Sequence, residues 1–306
     1  MIVAEGSFAS GVSALLDVLG TAEALRPGVD DAIEPIELAV AGYRRNVTTS
    51  SGLAVPTTCR PEDLGECDVV VVPALGAKDE SSVPTFLGGR DVTRLIKLLP
   101  RLRESTATLG AACTGVFPLA ESGVLDDRRV TTTWWLAGAF RRRYPQVRLD
   151  LDAMVVMDSG LLTAGAAFAH IDLALALVRR ASATLAEHVA RLLVVEERAA
   201  QSVYVALDHL SSHDPLVLEF ERHVRSNLAN ALDVAEVATA VGASRRTLER
   251  RVGDALGMTP LALVQRLRVE RATHLLRTTD QTMDQIAPQV GYANASTLRA
   301  LLRRHR

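Results

Sequence analysis

The sequence predicts two domains of different class: an α/β domain built on a parallel sheet with helices on both faces, then an all-α domain carrying two helix-turn-helix units. Three observations predict this. Strand-like and helix-like apolar patterns alternate through the first two thirds of the chain. One apolar frame is written twice, 49 residues apart, in the last third. The charge is also divided: residues 215–306 hold 14 arginines against 9 acidic side chains, and the first 214 hold 20 basic against 27 acidic, so a net −2 conceals +5 beside −7. A basic end on an acidic chain points to an acidic partner at that end.

The chain's 306 residues suit two domains rather than one. Its 48% hydrophobic and 23% charged content is that of a folded globular protein and argues against extensive disorder. No apolar run approaches the roughly 18–20 residues that span a bilayer, so no membrane partner is expected. The first residues lack the basic region, apolar core and cleavage site of a secretory signal. Cys59, Cys67 and Cys113 are too few and too scattered for a disulfide framework or a zinc cluster. The expectation is a cytoplasmic protein with no cofactor and no metal. Met1–Ala4 is short for a first buried strand, so the natural start is expected a few residues upstream.

Taken in order, the α/β elements begin with a helix at Ser13–Ala24. Ile36–Ala41 and Asp68–Pro73 read as buried strands, the second through Val69-Val70-Val71-Val72. A helix at Asp91–Glu104 leads to a strand at Ala107–Ala112, which ends at Cys113, and a further helix follows at Gly115–Ser122. Leu149–Met157 and Leu161–Gly165 read as a hairpin turned at Asp158-Ser159-Gly160. Helices at Phe168–Arg179 and Leu185–Val195 close this domain, placed at residues 1–197. A polar stretch over 198–214 is read as a linker.

The chemistry-bearing position of this domain is Ala111-Ala112-Cys113-Thr114-Gly115. A strand of small residues, a thiol and then a helix describe a nucleophile elbow. At a helix N-terminus the dipole favours a thiolate, which predicts a lowered pKa. The same five residues also describe a small buried side chain at a tight turn.

The second domain, placed at 215–306, contains the repeat. Val234, Val237, Ala238, Val241 and Gly242 are matched by Met283, Ile286, Ala287, Val290 and Gly291. Spacings of three and four put these side chains on one helical face, and each helix stops at glycine. A capping side chain follows, Ser244 in one unit and Asn294 in the other. Leu248 and Val252, and likewise Leu298 and Leu302, give each second helix one buried stripe. The units therefore span 234–255 and 283–304. The free faces offer Arg245, Arg246, Thr247, Glu249 and Arg250 in the first, and Ala295, Ser296, Thr297, Arg299, Arg303 and Arg304 in the second. Arginine forks reach guanine edges, and hydroxyls bind phosphate oxygens. Base contacts are assigned to Arg245, Arg246 and Arg250, and to Ser296, Thr297 and Arg299. Arg303, Arg304 and Arg306 are read as phosphate contacts. Thr259-Pro260 starts a helix long enough to space the units. Pro288 predicts a kink in the first helix of the second unit, at a cost of about 3 kcal/mol. With Leu301-Leu302 at the end, that unit is expected to pack less well.

Ala238-x3-Gly242-x-Ser244-x3-Leu248, Gly257-Met258-Thr259-Pro260, Arg266-x4-Arg271-Ala272-x2-Leu275-Leu276 and Ile286-Ala287-x2-Val290-Gly291-Tyr292 resemble the DNA-binding domain of the AraC/XylS family. The resemblance implies two recognition helices entering successive major-groove segments. Val72-Pro73-Ala74-Leu75-Gly76, the Cys113 elbow, Leu119–Asp126 and Thr131-Thr132-Thr133-Trp134 resemble the class I glutamine amidotransferase-like domain, whose superfamily includes intracellular-protease-like enzymes and a branch fused to AraC-type readers. That resemblance implies a flavodoxin-like three-layer sandwich used for ligand sensing and dimerisation.

Against this frame the chain departs where catalysis needs a base. Enzymatic relatives often place histidine after the elbow cysteine, where this chain has Thr114. The regulator branch commonly has Thr-Thr-His-Trp, where this chain has Thr133. His170 opens a predicted helix, the setting of a capping or surface residue. Asp17 falls near where relatives have an acidic side chain facing the cysteine. The expected effector pocket is Asp17, Gly76, Cys113, Thr114 and Thr133, with no catalytic residue. The leading expectation is a transcription regulator that binds double-stranded promoter or operator DNA, responds to a small-molecule effector and forms a homodimer. The rivals are a cysteine-dependent amidase or protease-like hydrolase with a DNA-localising tail, and a constitutive architectural DNA binder.

Overall fold

The computed structural model describes residues 1–29, 32–65, 67–77, 79–196, 198 and 214–304. The chain divides into two compact units, Met1–Ser202 and Val203–Arg306. Apart from Arg198 and Asp214, the expected linker lies outside the described residues, as does Arg306.

In the first unit a four-stranded sheet runs in the order β3 (Val69–Val72), β4 (Thr108–Ala112), β8 (Leu161–Ala164), β7 (Val155–Asp158). β3, β4 and β8 are parallel, and β7 joins β8 as an antiparallel edge. Period-two alternation explains the layering. Val70, Val72, Leu109 and Ala111 face one core, shared with α3 (Arg90–Ser105), α4 (Val116–Glu121) and α5 (Ala137–Arg143). Val71, Ala112, Leu162 and Ala164 face the other core, shared with α1 (Ala9–Val29), α6 (Ala169–Ala181) and α7 (Ala183–Leu192). This is the flavodoxin-like three-layer sandwich that the alternation and the resemblance led us to expect.

Several elements differ from expectation. Residues 36–41 do not form a strand. Leu38 is 42% exposed and Ala41 forms only isolated parallel bridges, to Ile2 and Cys59, while Ile36 and Val40 pack partly against apolar clusters. The Ile2 N–H reaches the Val71 carbonyl at 2.9 Å, which lays the first residues beside β3. The expected strand at 149–157 is split. Arg148–Leu149 (β6) pairs with Arg129–Val130 (β5), and Asp150 then turns the chain by accepting from the Asp152 N–H at 2.9 Å. The hairpin turn is as expected, with Ser159 and Gly160 both at positive φ. Further elements are a small hairpin of β1 (Asn46–Thr48) and β2 (Ala54–Pro56), the helix α2 (Val83–Leu87), β5 and α5.

The second unit consists, among the described residues, of six helices: α8 (Pro215–Ser226), α9 (Val234–Ala240), α10 (Arg245–Leu256), α11 (Pro260–Thr278), α12 (Met283–Gln289) and α13 (Ala295–Arg304). Asp214 caps α8 and Asp233 caps α9. Thr259 caps α11, and Thr282 with Gln285 forms a capping box on α12. Pro288 does not disrupt α12 as expected. α12 spans the same seven-residue window as α9, displaced by 49 positions, and proline occupies its penultimate place. The missing N–H therefore costs one bond at the point where the helix ends anyway. Leu298 is fully buried with Ile286, Ala287 and Val290 and with Ala272 and Leu275 of α11, and Leu302 packs partly against them, so the second unit is packed onto the long helix. No described helix is long and apolar enough to cross a membrane.

Candidate nucleic-acid interface and effector site

Each second helix of the repeat is fixed by its cap and its buried leucine. Ser244 Oγ accepts from the Thr247 N–H at 3.1 Å, and the two hydroxyls lie 2.9 Å apart. Leu248, Val252 and Leu256 anchor α10, and Gly257 ends it in the left-handed conformation. Asn294 Oδ1 gathers the Thr297 N–H at 3.1 Å, the Thr297 hydroxyl at 3.0 Å and the Ser296 hydroxyl at 2.6 Å. Burying one stripe turns the other outward. Arg245, Arg246 and Arg250 are exposed on α10, and Ser296, Thr297, Arg299 and Arg303 on α13; Thr247 is half-buried. Ala295, expected on the free face, is buried.

Among the described residues, Arg245, Arg250 and Arg299 pair with exposed carboxylates, and Arg303 donates to the Arg299 carbonyl at 3.4 Å. Arg245 meets Glu249 at 2.8 Å, Arg250 meets Asp254 at 3.9 Å and Arg299 meets Asp284 at 3.8 Å. Such surface pairs are worth about 0–1 kcal/mol, so a phosphate or a base edge displaces them cheaply. Arg251 is different. Its guanidinium meets the Asp214 carboxylate at 2.6 Å, and Asp214 also caps α8, so Arg251 ties the back of α10 to the start of its own domain. Sequence spacing gave no sign of that bond, because the partners lie 37 residues apart.

In the first unit the elbow forms at the carboxyl ends of β3 and β4. Cys113 sits at φ 54° in a short 3-10 turn, a left-handed conformation that strains a non-glycine residue by about 1–3 kcal/mol. Gly115 allows the turn to touch β3, since a Cβ there would lie 2.4 Å from the Pro73 carbonyl oxygen. Thr114 is buried and grips the next loop, its hydroxyl accepting from the Leu75 N–H at 2.9 Å and donating to the Leu75 carbonyl. The Thr132 hydroxyl donates to the Cys113 carbonyl at 2.7 Å. Thr133 is fully buried near the thiol and favours its anion, yet its hydroxyl has no hydrogen bond formed within normal geometry.

Of the two readings of Cys113, the structure agrees with the small buried side chain at a tight turn rather than the thiolate. Cys113 is 3% exposed, and burial pushes its pKa up to about 11, outweighing the backbone of Thr114 and the hydroxyls of Thr133 and Thr114. Only 3-10 and short helical backbone follows it, so the dipole does not rescue the anion. Asp17 stands on the exposed face of α1 and is absent from the groups acting on that thiol. It is not brought together with Cys113. Gly76 is exposed and approaches the Gly6 carbonyl.

His170 is neither a cap nor a surface residue. It is fully buried, its Nε2 accepts from the Ala74 N–H at 2.9 Å, and its Nδ1–H donates to the Ala167 carbonyl at 2.5 Å. Burial lowers its pKa to about 4, so it is a neutral bracket holding the Ala74 loop beside the elbow. Gly11 makes room for the ring, since a Cβ at that position would come within 2.6 Å of it. Two residues further along α6, the buried Asp172 carboxylate receives the Arg198 backbone N–H at 3.0 Å and pairs with its guanidinium.

The profile of the DJ-1/PfpI family matches residues 13–180, and that of a helix-turn-helix domain matches residues 237–306. The HTH-type transcriptional regulator CdhR of Pseudomonas aeruginosa is 31% identical over 290 residues, covering 88% of this chain and 82% of that protein. The crystal structure of an AraC family transcriptional regulator from Pseudomonas putida is similar at a TM-score of 0.52 and 26% identity, covering 63% of this chain and 96% of that one. A ThiJ/PfpI family protein from Pseudomonas syringae shares the fold at a TM-score of 0.52 and 18% identity, over 73% of this chain and 85% of that one.

Proposed function

We propose, from the premise that this chain belongs to the helix-turn-helix transcription regulators that join a DJ-1/PfpI domain to an AraC-type DNA-binding domain, that its two capped helices read double-stranded operator DNA under the control of a small molecule. The reading is carried by one observation: two separately capped helices bury matched leucines and present exposed arginines, of which Arg245, Arg250 and Arg299 meet displaceable surface carboxylates. Arg245, Arg246 and Arg250 make base contacts from α10, and Ser296, Thr297 and Arg299 from α13. Arg303 binds phosphate, while Ser244 and Asn294 set the helix starts.

In the same reading, residues 1–197 sense the effector and dimerise, residues 198–214 link, and residues 215–306 bind DNA in the cytoplasm. The effector binds at the carboxyl ends of β3 and β4, around Gly76, Cys113, Thr114 and Thr133. We read this domain as binding rather than catalytic. A thiol with a pKa of about 11 is almost wholly protonated at neutral pH, and the buried histidine nearest the elbow loop has its acceptor nitrogen occupied by Ala74.

Footprinting with purified protein tests the core of the proposal. Protection of two adjacent major-groove segments is expected, with affinity falling steeply as salt rises. Sequence-blind or salt-independent binding refutes it.

A further inference from the structure

A regulator that reads two DNA segments needs its two reading helices held at one separation and one rotational phase. The long helix α11 runs between them, but a helix alone does not fix the orientation of what is packed at its sides. Ala272 and Leu275 of α11 pack against the second unit, and Arg268, at the middle of α11, adds a polar side chain that reaches turns on both sides. On one side its Nη2 donates to the Asn230 carbonyl at 2.7 Å, in the turn that leads into the first unit. On the other its guanidinium lies 5.3 Å from the ring centre of Tyr292, in the turn between α12 and α13.

The contact is close on both sides. Gly291, at φ +76°, brings the second turn so near that an added Cβ would lie 2.4 Å from the Leu228 carbonyl and 2.6 Å from Arg268 Nη2. The Tyr292 hydroxyl and Arg268 Nε are both buried without a formed hydrogen bond of their own. A planar guanidinium can stack on a ring while its edge binds a carbonyl; a lysine ammonium cannot do both. Arg268 therefore touches the approach to one unit and the turn of the other, and it carries none of the features of a DNA contact.

We propose that Arg268 is a positioning residue that sets the spacing specificity of the DNA-reading domain, by latching the Gly291-Tyr292 turn of the second unit to the Leu228–Asn230 turn before the first. The proposal rests on the DNA-reading function proposed above. Two linked readers gain about 10²-fold or more over one, and lose that gain when the geometry forbids simultaneous engagement. The latch decides which geometry is allowed.

The test uses the full-length protein and a duplex selected from random-sequence DNA by the wild type, together with the same duplex carrying one or two extra base pairs between its protected segments. The wild type is expected to lose about tenfold or more in affinity on a single insertion. Arg268→Met is expected to bind the unaltered duplex about tenfold more weakly and to lose no more than about threefold on insertion. Both proteins are expected to bind each isolated segment alike. Gly291→Ala, which forces the same turn apart sterically, is expected to give the same loss of spacing discrimination.

If Arg268→Met keeps the full insertion penalty, the latch is wrong. If it weakens each isolated segment as much as the whole site, with a lowered melting temperature, Arg268 merely supports the fold and the proposal also falls. If Arg268→Lys restores spacing discrimination fully, the stacked geometry is not what matters. Failure of the wild type to select any duplex removes the DNA-reading premise instead.

Discussion

Acid should weaken the α/β domain through one residue, His170. Its imidazole is buried and neutral, with a pKa lowered from 6.5 to about 4. The unfolded chain takes up a proton near pH 6.5, and the folded chain resists doing so until about pH 4. Below pH 6.5 the unfolded state binds more protons, so acid favours it. The stabilisation is fully present above pH 6.5 and disappears as pH falls to about 4. Its full size is about 3 kcal/mol, at roughly 1.36 kcal/mol per pH unit, and about 2 kcal/mol of this is lost between pH 7.5 and pH 5. Trp134 and Trp135 are the chain's only tryptophans and both lie in this domain, so their fluorescence during urea unfolding reports on it specifically. His170→Gln, which still offers an acceptor to Ala74, should be less stable at pH 7.5 but should lack the 2 kcal/mol component of the pH dependence. Equal losses between pH 7.5 and pH 5 in both proteins would refute the argument, as would a wild-type stability that does not change over that range.

Three further outcomes are expected. Alkylation by iodoacetamide at pH 8, followed by peptide mass spectrometry, should label half-buried Cys59 and Cys67 at least about tenfold faster than Cys113, whose thiolate fraction is about 0.1%; equal labelling would reopen the hydrolase reading. Gly115→Ala should cost about 2–3 kcal/mol, because the new methyl meets the Pro73 and Val72 carbonyl oxygens rather than a movable side chain, and should lower the melting temperature of this domain by roughly 5–10 °C. Arg246→Ala should cost about 1–3 kcal/mol on the preferred site and little on random DNA, whereas Arg303→Ala should weaken both alike and reduce the salt slope by about 1; gel shifts over a salt series separate the two.

What the sequence made legible was local. The caps Ser244, Thr259 and Asn294 each bond a backbone N–H within three residues of themselves, so spacing alone locates them. Val70–Val72 and Leu109–Ala112 read as strands because both of their faces are buried, which leaves an uninterrupted run of apolar and small residues. Misreadings arose where burial or a distant partner decides. Ile36–Ala41 looks like a strand, yet Leu38 is exposed and Ala41 makes isolated bridges in place of a ladder. Asp17, placed in the pocket by resemblance, lies on the outer face of α1. Which of the two readings of Cys113 holds depended on how completely the elbow closes, and the role of His170, read as a cap or surface residue, depended on Ala74, 96 residues away. Arg251 and Arg268 escaped for the same reason: their partners lie in other turns and loops, and an arginine on a helix carries no mark of what it will reach.

The fit between Gly11 and the His170 ring also has a historical consequence. A side chain cannot enter position 11 while the imidazole stands within 2.6 Å of its Cβ site, and the imidazole cannot leave without stranding the Ala74 N–H. Neither position is free to drift alone. A lineage that acquires a side chain at position 11 must first have lost the histidine and found another acceptor for Ala74, and once the space is filled the histidine cannot return. Two sites 159 residues apart therefore form an epistatic pair with a fixed order of change. Comparison of related chains should show the histidine only where position 11 is glycine.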